Sequence, residues 1–319
     1  MPSVDLSIDE LRTYASKATP PPDFDAFWER TIDEALQPPL GAQLTERGPR
    51  LRVARVFAVS FEGFGGGRVA GWYVRPEGEG PFPGIVSFHG YSGRGGRPLE
   101  ILPLASQGIA VLSMDCRGQS GDSPGISSTT GHAAGWLTQG LDSPDHHYYR
   151  TVYGDAVRAA EVLCSFPEVD TSRVAFTGVS QGGGLTLAAA ALSRRPCFAW
   201  ADVPFLCDFP RAVQVATKDP YLEIPRLLQR RPDLGDQAFS TLSYIDVANL
   251  APKVRCPVVV TVSLWDDICP PSTVFGTFAR LGSADKDLRV YPFNDHSLPY
   301  DVQEDRLTAL TQRLGVAPR

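Results

Sequence analysis

Hydrophobic and polar positions along the chain form two patterns, and each pattern predicts a different kind of strand. Arg52–Ser60 and Arg68–Val74 alternate apolar and polar residues on either side of the turn Gly63–Gly67, which predicts an antiparallel hairpin. Other short segments are apolar throughout, which is typical of parallel strands covered on both faces. Such strands are predicted at Pro83–Phe88, Ile109–Met114, Val174–Thr177, Phe198–Val203 and Pro257–Ser263, with a shorter one at Leu288–Tyr291.

Helical spacing of apolar residues occurs between these strands. It predicts helices at Pro98–Gln107, Thr151–Ser165, Ser272–Leu281 and Val302–Leu314. Residues 204–245 read as a helical insertion over the sheet's C-terminal edge, and residues 1–45 as a helical lead-in. Strands that alternate with helices predict the α/β class, with a mainly parallel central sheet and helices on both faces. We expect a single domain over residues 1–319.

The segment Val174–Leu192 contains the most informative local pattern. An apolar strand runs into Gly178-Val179-Ser180-Gln181-Gly182, and an alanine-rich helix follows directly. This pattern is typical of a nucleophile elbow, in which a sharp turn holds a serine between a strand and a helix. Glycines flank the serine because side chains at those positions would collide. Ser180 is therefore the predicted nucleophile, at a helix N-terminus whose N–H groups and dipole favour an oxyanion.

A serine nucleophile needs a general base, usually histidine, and a carboxylate that orients this base. In hydrolases with this elbow, the chain order is serine, acid and histidine. His296 is the only histidine after Ser180 and is therefore the predicted base. Asp266 and Asp267 both follow the preceding strand, and the pattern alone leaves either as the acid. Asp295 is a weaker candidate because adjacent side chains usually point apart.

An oxyanion also needs N–H donors, and two are predicted here. Gln181 follows the nucleophile directly, and the second donor normally comes from the loop after an earlier central strand. Tyr91 lies in that loop and is the predicted second donor, whereas His89 is predicted to hold the loop in place. His146 and His147 are assigned to a loop or interface role, because further metal ligands at suitable spacing are not evident.

Composition and charge limit the classes of partner. The 319 residues are 43% hydrophobic with a net charge of -6, which argues against a nucleic-acid partner or an anionic membrane surface and suits a small neutral substrate. The six cysteines lack CxxC spacing and are expected to be reduced thiols. No metal or other cofactor is predicted. The N-terminal segment lacks the apolar core of a secretion signal, so a cytoplasmic location is expected.

Together these residues resemble the acetyl xylan esterase/cephalosporin C deacetylase family, the seventh carbohydrate esterase family of the α/β-hydrolase superfamily. The likeness covers nearly the whole chain. The family's RGQ motif falls on Arg117–Gln119 and its GxSQG motif on Gly178–Gly182. Further matching segments are PPDFDAFW at 21–28, FHGY at 88–91, DCRGQSGDS at 115–123, GHAAGWLTQG at 131–140, YYRTVYGDAVRA at 148–159 and PPSTVF at 270–275.

The resemblance implies a role for each candidate residue. The family's acid lies four positions before the PPSTVF run, which selects Asp266 over Asp267. The base falls on His296, and the oxyanion donors fall on Tyr91 and Gln181. The resemblance also implies a homohexamer whose active sites face an internal cavity that admits only small esters. It implies removal of acetyl groups from xylo-oligosaccharides and cephalosporin-type acetates inside the cell.

The expected reaction is attack of Ser180 on an acetyl ester, through an acetyl-enzyme intermediate. One position departs from the family: Ser297 follows His296, where the family typically has Glu, which affects expectations about substrate range more than reaction class. Three alternatives stay open. The same triad could serve another small-ester carboxylesterase, or a prolyl-oligopeptidase-type peptidase, although the lead-in is too short for that group's propeller. A hydrolase-like scaffold could also be a binding module, although such proteins often lack a triad residue.

Overall fold

A computed structural model describes residues 4–126 and 135–316 of the chain. Part of the motif at 131–140 therefore lies outside the described residues. Within them, the central sheet has nine strands. They are β1 (Gln43–Glu46), β2 (Ala54–Glu62), β3 (Arg68–Pro76), β4 (Phe82–Phe88), β5 (Ala110–Met114), β6 (Val169–Val179), β7 (Phe198–Asp202), β8 (Val258–Ser263) and β9 (Lys286–Tyr291).

Helices connect most of these strands. They are α1 (Ile8–Thr13), α2 (Phe24–Leu36), α3 (Pro98–Ser106), α4 (Tyr148–Cys164), α5 (Gln181–Leu192), α6 (Phe209–Val215), α7 (Glu223–Arg230), α8 (Gly235–Ile245), α9 (Val247–Leu250), α10 (Pro271–Arg280) and α11 (Tyr300–Arg313). Short 3-10 turns follow α7 and α9, at Pro232–Leu234 and Ala251–Lys253. None of the helices in the described ranges combines the length and the hydropathy that a membrane-spanning helix needs.

The sheet order is β1-β2-β3-β5-β4-β6-β7-β8-β9. The strands from β5 to β9 in this order pair in parallel, as the uniformly apolar segments predict. The predicted hairpin is confirmed, because β2 and β3 pair antiparallel from Ala54 opposite Pro76 to Glu62 opposite Arg68. β3 then joins β5 antiparallel, so the hairpin extends a parallel core. The α/β fold class is confirmed.

Both faces of the central parallel strands are buried, which explains their mainly apolar sequence. On one face Val86 and Phe176 belong to the core formed with α4 and α5. On the other face Ile85 and Ala175 pack in a second core that includes residues of α3 and α11. Neighbouring residues on one strand point to opposite faces, so a strand between two helical layers favours apolar residues at successive positions.

The helical insertion predicted at 204–245 is confirmed as α6, α7 and α8. It follows β7, and its first residues lie against the elbow helix: a Cβ at Gly184 would overlap the Phe205 carbonyl. Its last helix contacts the segment that precedes α4, because the Thr241 hydroxyl donates to the Leu141 carbonyl at 2.9 Å. The insertion therefore packs on the elements that lead into and out of the predicted nucleophile.

The lead-in differs from the prediction at one point. α1 begins with a capping box between Ser7 and Glu10, and α2 follows as the sequence predicts. The chain then forms β1, which pairs antiparallel with β2, so the last residues of the predicted helical lead-in over 1–45, from Gln43, belong to the sheet. All four residues of β1 are exposed at the sheet edge. A strand with no buried face has no alternating pattern, and the sequence therefore carries no signal for it.

Candidate active site

Ser180 lies on the sharp turn between β6 and α5, in a strained backbone conformation. Its φ is 59° and its ψ is -116°, a region that residues with a side chain rarely occupy. Close contacts with neighbouring backbone atoms require glycine at the flanking positions Gly178 and Gly182. A Cβ at Gly178 would lie 2.5 Å from the backbone of Gly182, and a Cβ at Gly182 would overlap the Phe88 carbonyl. The strand–turn–helix sequence therefore folds here as an elbow that presents Ser180 at the C-terminal edge of the sheet.

Backbone hydrogen bonds hold this strained turn in place. The Ser180 N–H donates to the Asp202 carbonyl at 2.9 Å, at the end of β7. The Ser180 carbonyl accepts from the Phe205 N–H at 2.9 Å, in the first residues of the insertion. The serine is thus fixed between the neighbouring strand and the insertion, and the residue is 8% exposed. Strain persists only where the surrounding structure determines it in this way.

Asp266 and His296 form a hydrogen-bonded pair. Asp266 follows β8 and is fully buried, and its Oδ2 accepts from His296 Nδ1 at 2.7 Å. The other carboxylate oxygen accepts from the N–H groups of Ile268 at 2.9 Å and Cys269 at 2.8 Å. With Nδ1 protonated, the Nε2 atom of His296 is the nitrogen left to accept a proton.

The two other aspartates near this pair face different partners. Asp267 pairs with Lys218 Nζ at 3.1 Å, whereas the hydrogen bond of His296 goes to Asp266. Asp295 Oδ1 accepts from the N–H of Ser297 at 2.8 Å and also from its hydroxyl. The structure thus brings together Asp266 and His296, and it ties the unusual residue after His296 to Asp295.

The side chain of Ser180 lies beside Cys269, a residue that the sequence analysis did not single out. Burial raises the pKa of the Cys269 thiol well above its ordinary value, and hydrogen bonding with the Ser180 hydroxyl opposes that shift. The Cys269 sulfur also lies within 4.8 Å of a ligand atom of both Asp266 and His296. No hydrogen bond joins the Ser180 hydroxyl to His296 within the part of the chain that the structure describes. In enzymes without bound substrate, catalytic hydrogen bonds are often long and tighten when substrate binds.

Asp266, Cys269 and His296 also have the donor types of a metal site. Both oxygens of Asp266 are, however, already used: one accepts from two backbone N–H groups and the other from the imidazole. The burial that keeps the Cys269 thiol protonated also opposes formation of the thiolate that a metal would bind. The donor set therefore fits an oriented imidazole better than a metal ion.

The two predicted oxyanion donors lie at the same edge of the sheet. Gln181 is the first residue of α5 and Tyr91 follows β4, so both stand beside the elbow. Neither backbone N–H donates to another residue among those described. A helix leaves its first N–H groups without internal partners, and Gln181 is such a position. Both N–H groups are therefore available to a ligand.

A buried network of side chains holds Gln181. Its Oε1 accepts from Gln119 Nε2 at 2.8 Å and from the Tyr149 hydroxyl at 2.9 Å. Its Nε2 donates back to Gln119 Oε1 at 3.2 Å, and Gln119 also donates to the Tyr148 hydroxyl at 3.0 Å. The glutamines of the RGQ and GxSQG motifs therefore contact each other directly. Both motifs are visible in the sequence, but only the folded structure brings their glutamines together.

The other described histidines have structural contacts. His89 contacts the Gly90 carbonyl through Nδ1 at 2.7 Å and accepts from the Cys116 N–H at 2.9 Å, so it holds the loop that carries Tyr91. Burial lowers the pKa of His89, consistent with a neutral ring. His147 caps α4, and burial lowers its pKa to about 4.

Fold and site together define a class. A mainly parallel sheet flanked by helices carries a serine on a nucleophile elbow, an aspartate after β8 and a histidine after β9. This is the arrangement of an α/β-hydrolase with a serine nucleophile.

Comparisons with known proteins identify the family. A profile of the family described as "Acetyl xylan esterase (AXE1)" matches residues 1–314. The chain therefore belongs to the acetyl xylan esterase family, a group of carboxylic ester hydrolases.

Individual relatives agree with this assignment. The structure of an acetyl xylan esterase from Paenibacillus sp. R4 is similar with a TM-score of 0.93 and 37% identity, over 96% of this chain and 99% of that one. Acetyl xylan esterase 1 from Thermoanaerobacterium sp. JW/SL YS485 gives a TM-score of 0.92 and 34% identity, over 97% and 99%. The acetyl esterase Axe7A of Xylanibacter ruminicola is 27% identical over 300 residues, which span 92% of this chain but 66% of that longer relative.

Proposed function

We propose that the protein is a serine esterase that removes O-acetyl groups from small acetylated substrates. The observation that carries the proposal is the buried Asp266–His296 pair at the same sheet edge as Ser180, which the elbow holds at a φ of 59°. An orienting carboxylate, an imidazole and a strained serine at a helix N-terminus are the parts that acyl transfer requires.

The reaction follows from these groups. His296 takes the proton of the Ser180 hydroxyl as its oxygen attacks the acetyl carbonyl, and Asp266 stabilises the imidazolium that forms. The N–H groups of Tyr91 and Gln181 donate to the oxyanion. The C–O bond to the alcohol then breaks, and His296 protonates the departing alcohol. Water, deprotonated by His296, releases acetate from the acetyl-enzyme and restores the serine.

The substrates that we propose are acetylated xylo-oligosaccharides and cephalosporin C-like acetates. Membership of the acetyl xylan esterase family supports the first, and the resemblance in sequence motifs supports the second. We also propose a cytoplasmic homohexamer. Six cysteines that are all free thiols support a reducing compartment. Large apolar side chains on the surface, such as Phe293 at 70% exposed and Tyr300 at 80%, support an assembly.

Replacement of the predicted nucleophile tests the reaction. We expect Ser180→Ala to lower kcat for 4-nitrophenyl acetate by about 10⁴-fold or more, because loss of a serine nucleophile removes the covalent route. Ser106→Ala is the matched control, since Ser106 is exposed on α3, and it should retain full activity. Acetylated xylobiose, cephalosporin C and propionyl and butyryl esters then define the substrate range.

Three results would overturn the proposal. Full activity in the Ser180→Ala variant would exclude the serine mechanism. Cleavage of a dipeptide chromogen without release of acetate from any ester would indicate a peptidase. Failure of a fluorophosphonate probe to label Ser180 in the wild-type protein would instead favour a binding module.

A further inference from the structure

The side chain of Tyr91 extends from the predicted oxyanion loop to a buried carboxylate in the helical insertion. Its hydroxyl donates to Oε1 of Glu223, the first residue of α7, through a short hydrogen bond. The ring of Tyr91 packs edge-on against Trp136, with centroids 5.1 Å apart, and against Phe205, at 5.8 Å. One end of this residue is thus anchored in the insertion while its backbone N–H stays unpaired among the described residues.

A third segment completes the anchor. The Trp136 N–H donates to the Tyr91 hydroxyl at 2.7 Å, and the Leu137 N–H donates to Glu223 Oε2 at 2.9 Å. Gly135 adopts a φ of +121°, and a Cβ there would overlap the Glu223 carboxylate. The backbone of residues 135–137 therefore closes tightly over the tyrosine–carboxylate pair. Each carboxylate oxygen of Glu223 accepts one hydrogen bond: Oε1 from the Tyr91 hydroxyl and Oε2 from the Leu137 N–H.

Glu223 is a buried carboxylate whose contribution to folding stability does not explain its presence. It is 3% exposed and has no ion pair with a described lysine or arginine, since the nearby Arg226 pairs with Asp219 at 2.6 Å. Burial raises the pKa of Glu223 to about 7, against the lowering effect of its hydrogen bonds with Tyr91 and Leu137. A buried carboxyl group with no basic partner contributes little net stability, which points to another reason for its presence.

We infer that Glu223 is a positioning residue that fixes the backbone N–H of residue 91 for the oxyanion. The inference rests on the proposed function and adds to it a residue about 130 positions away in the chain from the loop that it holds. Phe205 connects Tyr91 to the nucleophile. Its ring contacts the Tyr91 ring, and the Phe205 N–H donates to the Ser180 carbonyl at 2.9 Å. The Tyr91 N–H and Ser180 are therefore both positioned through Phe205. Release of the Tyr91 ring would change the position of this N–H relative to the Ser180 hydroxyl.

A double-mutant cycle tests the inference. Glu223→Gln keeps the shape but leaves an amide N–H₂ facing the donors, and Tyr91→Phe keeps the ring but removes the hydroxyl. We expect each variant to lower kcat for 4-nitrophenyl acetate by about 10- to 100-fold, less than complete loss of an oxyanion donor. KM should stay within about twofold, because the donor binds the oxyanion of the transition state and contributes little to binding of the neutral ester. The double variant should be no worse than the poorer single variant, since both changes break one contact.

The matched control is Glu168→Gln. Glu168 accepts from the Tyr73 hydroxyl at 3.0 Å and also pairs with Arg75 at 3.4 Å, so this substitution removes a carboxylate from a second tyrosine–carboxylate pair. Glu168 precedes β6 and lies at the opposite end of that strand from Ser180. This variant should melt at a lower temperature and keep the wild-type kcat.

Inhibition by phenylboronic acid supplies a second measurement. Boron binds the serine oxygen and becomes a tetrahedral anion, so its affinity depends on the oxyanion donors. We expect its inhibition constant to rise in the Glu223→Gln and Tyr91→Phe variants in step with the fall in kcat, and to be unchanged in Glu168→Gln. If Glu223→Gln does not fold, kcat and the inhibition constant of the Tyr91→Phe variant are compared with those of Glu168→Gln.

The outcomes separate this inference from the proposed function. Unchanged kcat and unchanged phenylboronic acid affinity in Glu223→Gln and Tyr91→Phe, or multiplicative losses in the double variant, would overturn the positioning role. The esterase assignment would survive that result. A wild-type protein with no esterase activity would overturn the proposed function, and the inference with it.

Discussion

At the scale of single residues, the site shows how two neighbouring aspartates acquire different environments. Asp266 is fully buried with three hydrogen-bond donors, among them His296 Nδ1 at 2.7 Å. Asp267 is partly exposed and pairs with Lys218 at 3.1 Å. The sequence pattern allows either, because both follow the same strand. Only the turn after β8 decides which carboxylate faces the imidazole.

This difference predicts opposite results for the same substitution at adjacent positions. Asp266→Asn should lower kcat for acetyl esters by about 10⁴-fold, because an amide no longer holds the imidazole in the tautomer that accepts the serine proton. Asp267→Asn should change kcat by less than about twofold, as expected for an ion pair at the surface. Steady-state kinetics of the two purified variants measure this contrast. Equal losses in both would contradict the assignment of Asp266.

At the scale of elements, the elbow depends on close approach between α5 and the end of β4. A Cβ at Gly182 would overlap the Phe88 carbonyl, and neither strand nor helix can move without disturbing the sheet. A Cβ at Gly183 would lie 2.6 Å from the Asp202 carbonyl of the next strand. These glycines therefore let the helix start directly above the strands. The local GxSQGG sequence is sufficient to predict this packing.

Alanine substitution at two helical glycines tests that requirement. Gly182→Ala should lower the free energy of unfolding by about 2 kcal/mol or more, since forced overlap in a packed region costs this much. Gly235→Ala, at the start of α8, meets nothing within 4 Å and should be neutral or stabilise by up to about 1 kcal/mol. Urea unfolding followed by circular dichroism gives both values. Similar stabilities for the two variants would show that the elbow tolerates a side chain.

At the scale of the whole molecule, the segments that carry Asp266 and His296 also carry large exposed apolar side chains. Phe293 and Tyr300 are 70% and 80% exposed, three residues before and four residues after His296. Trp265, next to Asp266, is 37% exposed. Large exposed apolar side chains often mark a contact with another protein chain. Their exposure therefore supports the proposed assembly.

The proposed hexamer has a simple physical signature. We expect light scattering coupled to size-exclusion chromatography to give six times the 34.6 kDa mass of one chain. Burial of exposed aromatic surface supplies the driving force for association. Phe293→Asp should reduce the mass, because burying an unpaired charge in an apolar contact is costly. A monomer mass for the wild-type protein at micromolar concentration would contradict the proposal.

The sequence by itself determined the α/β class, the elbow at Ser180 and the choice of His296. These follow from periodicity and from spacing within short segments, where neighbouring residues constrain one another directly. The local pattern after β8 left Asp266 and Asp267 open, the family resemblance selected Asp266, and the structure shows that Asp266 meets the imidazole. The tertiary structure alone revealed that Cys269 lies beside the nucleophile and that β1 extends the sheet. It alone revealed Glu223 beneath Tyr91. Contacts between residues far apart in the chain leave no local pattern, because they arise only when folding brings separate segments together.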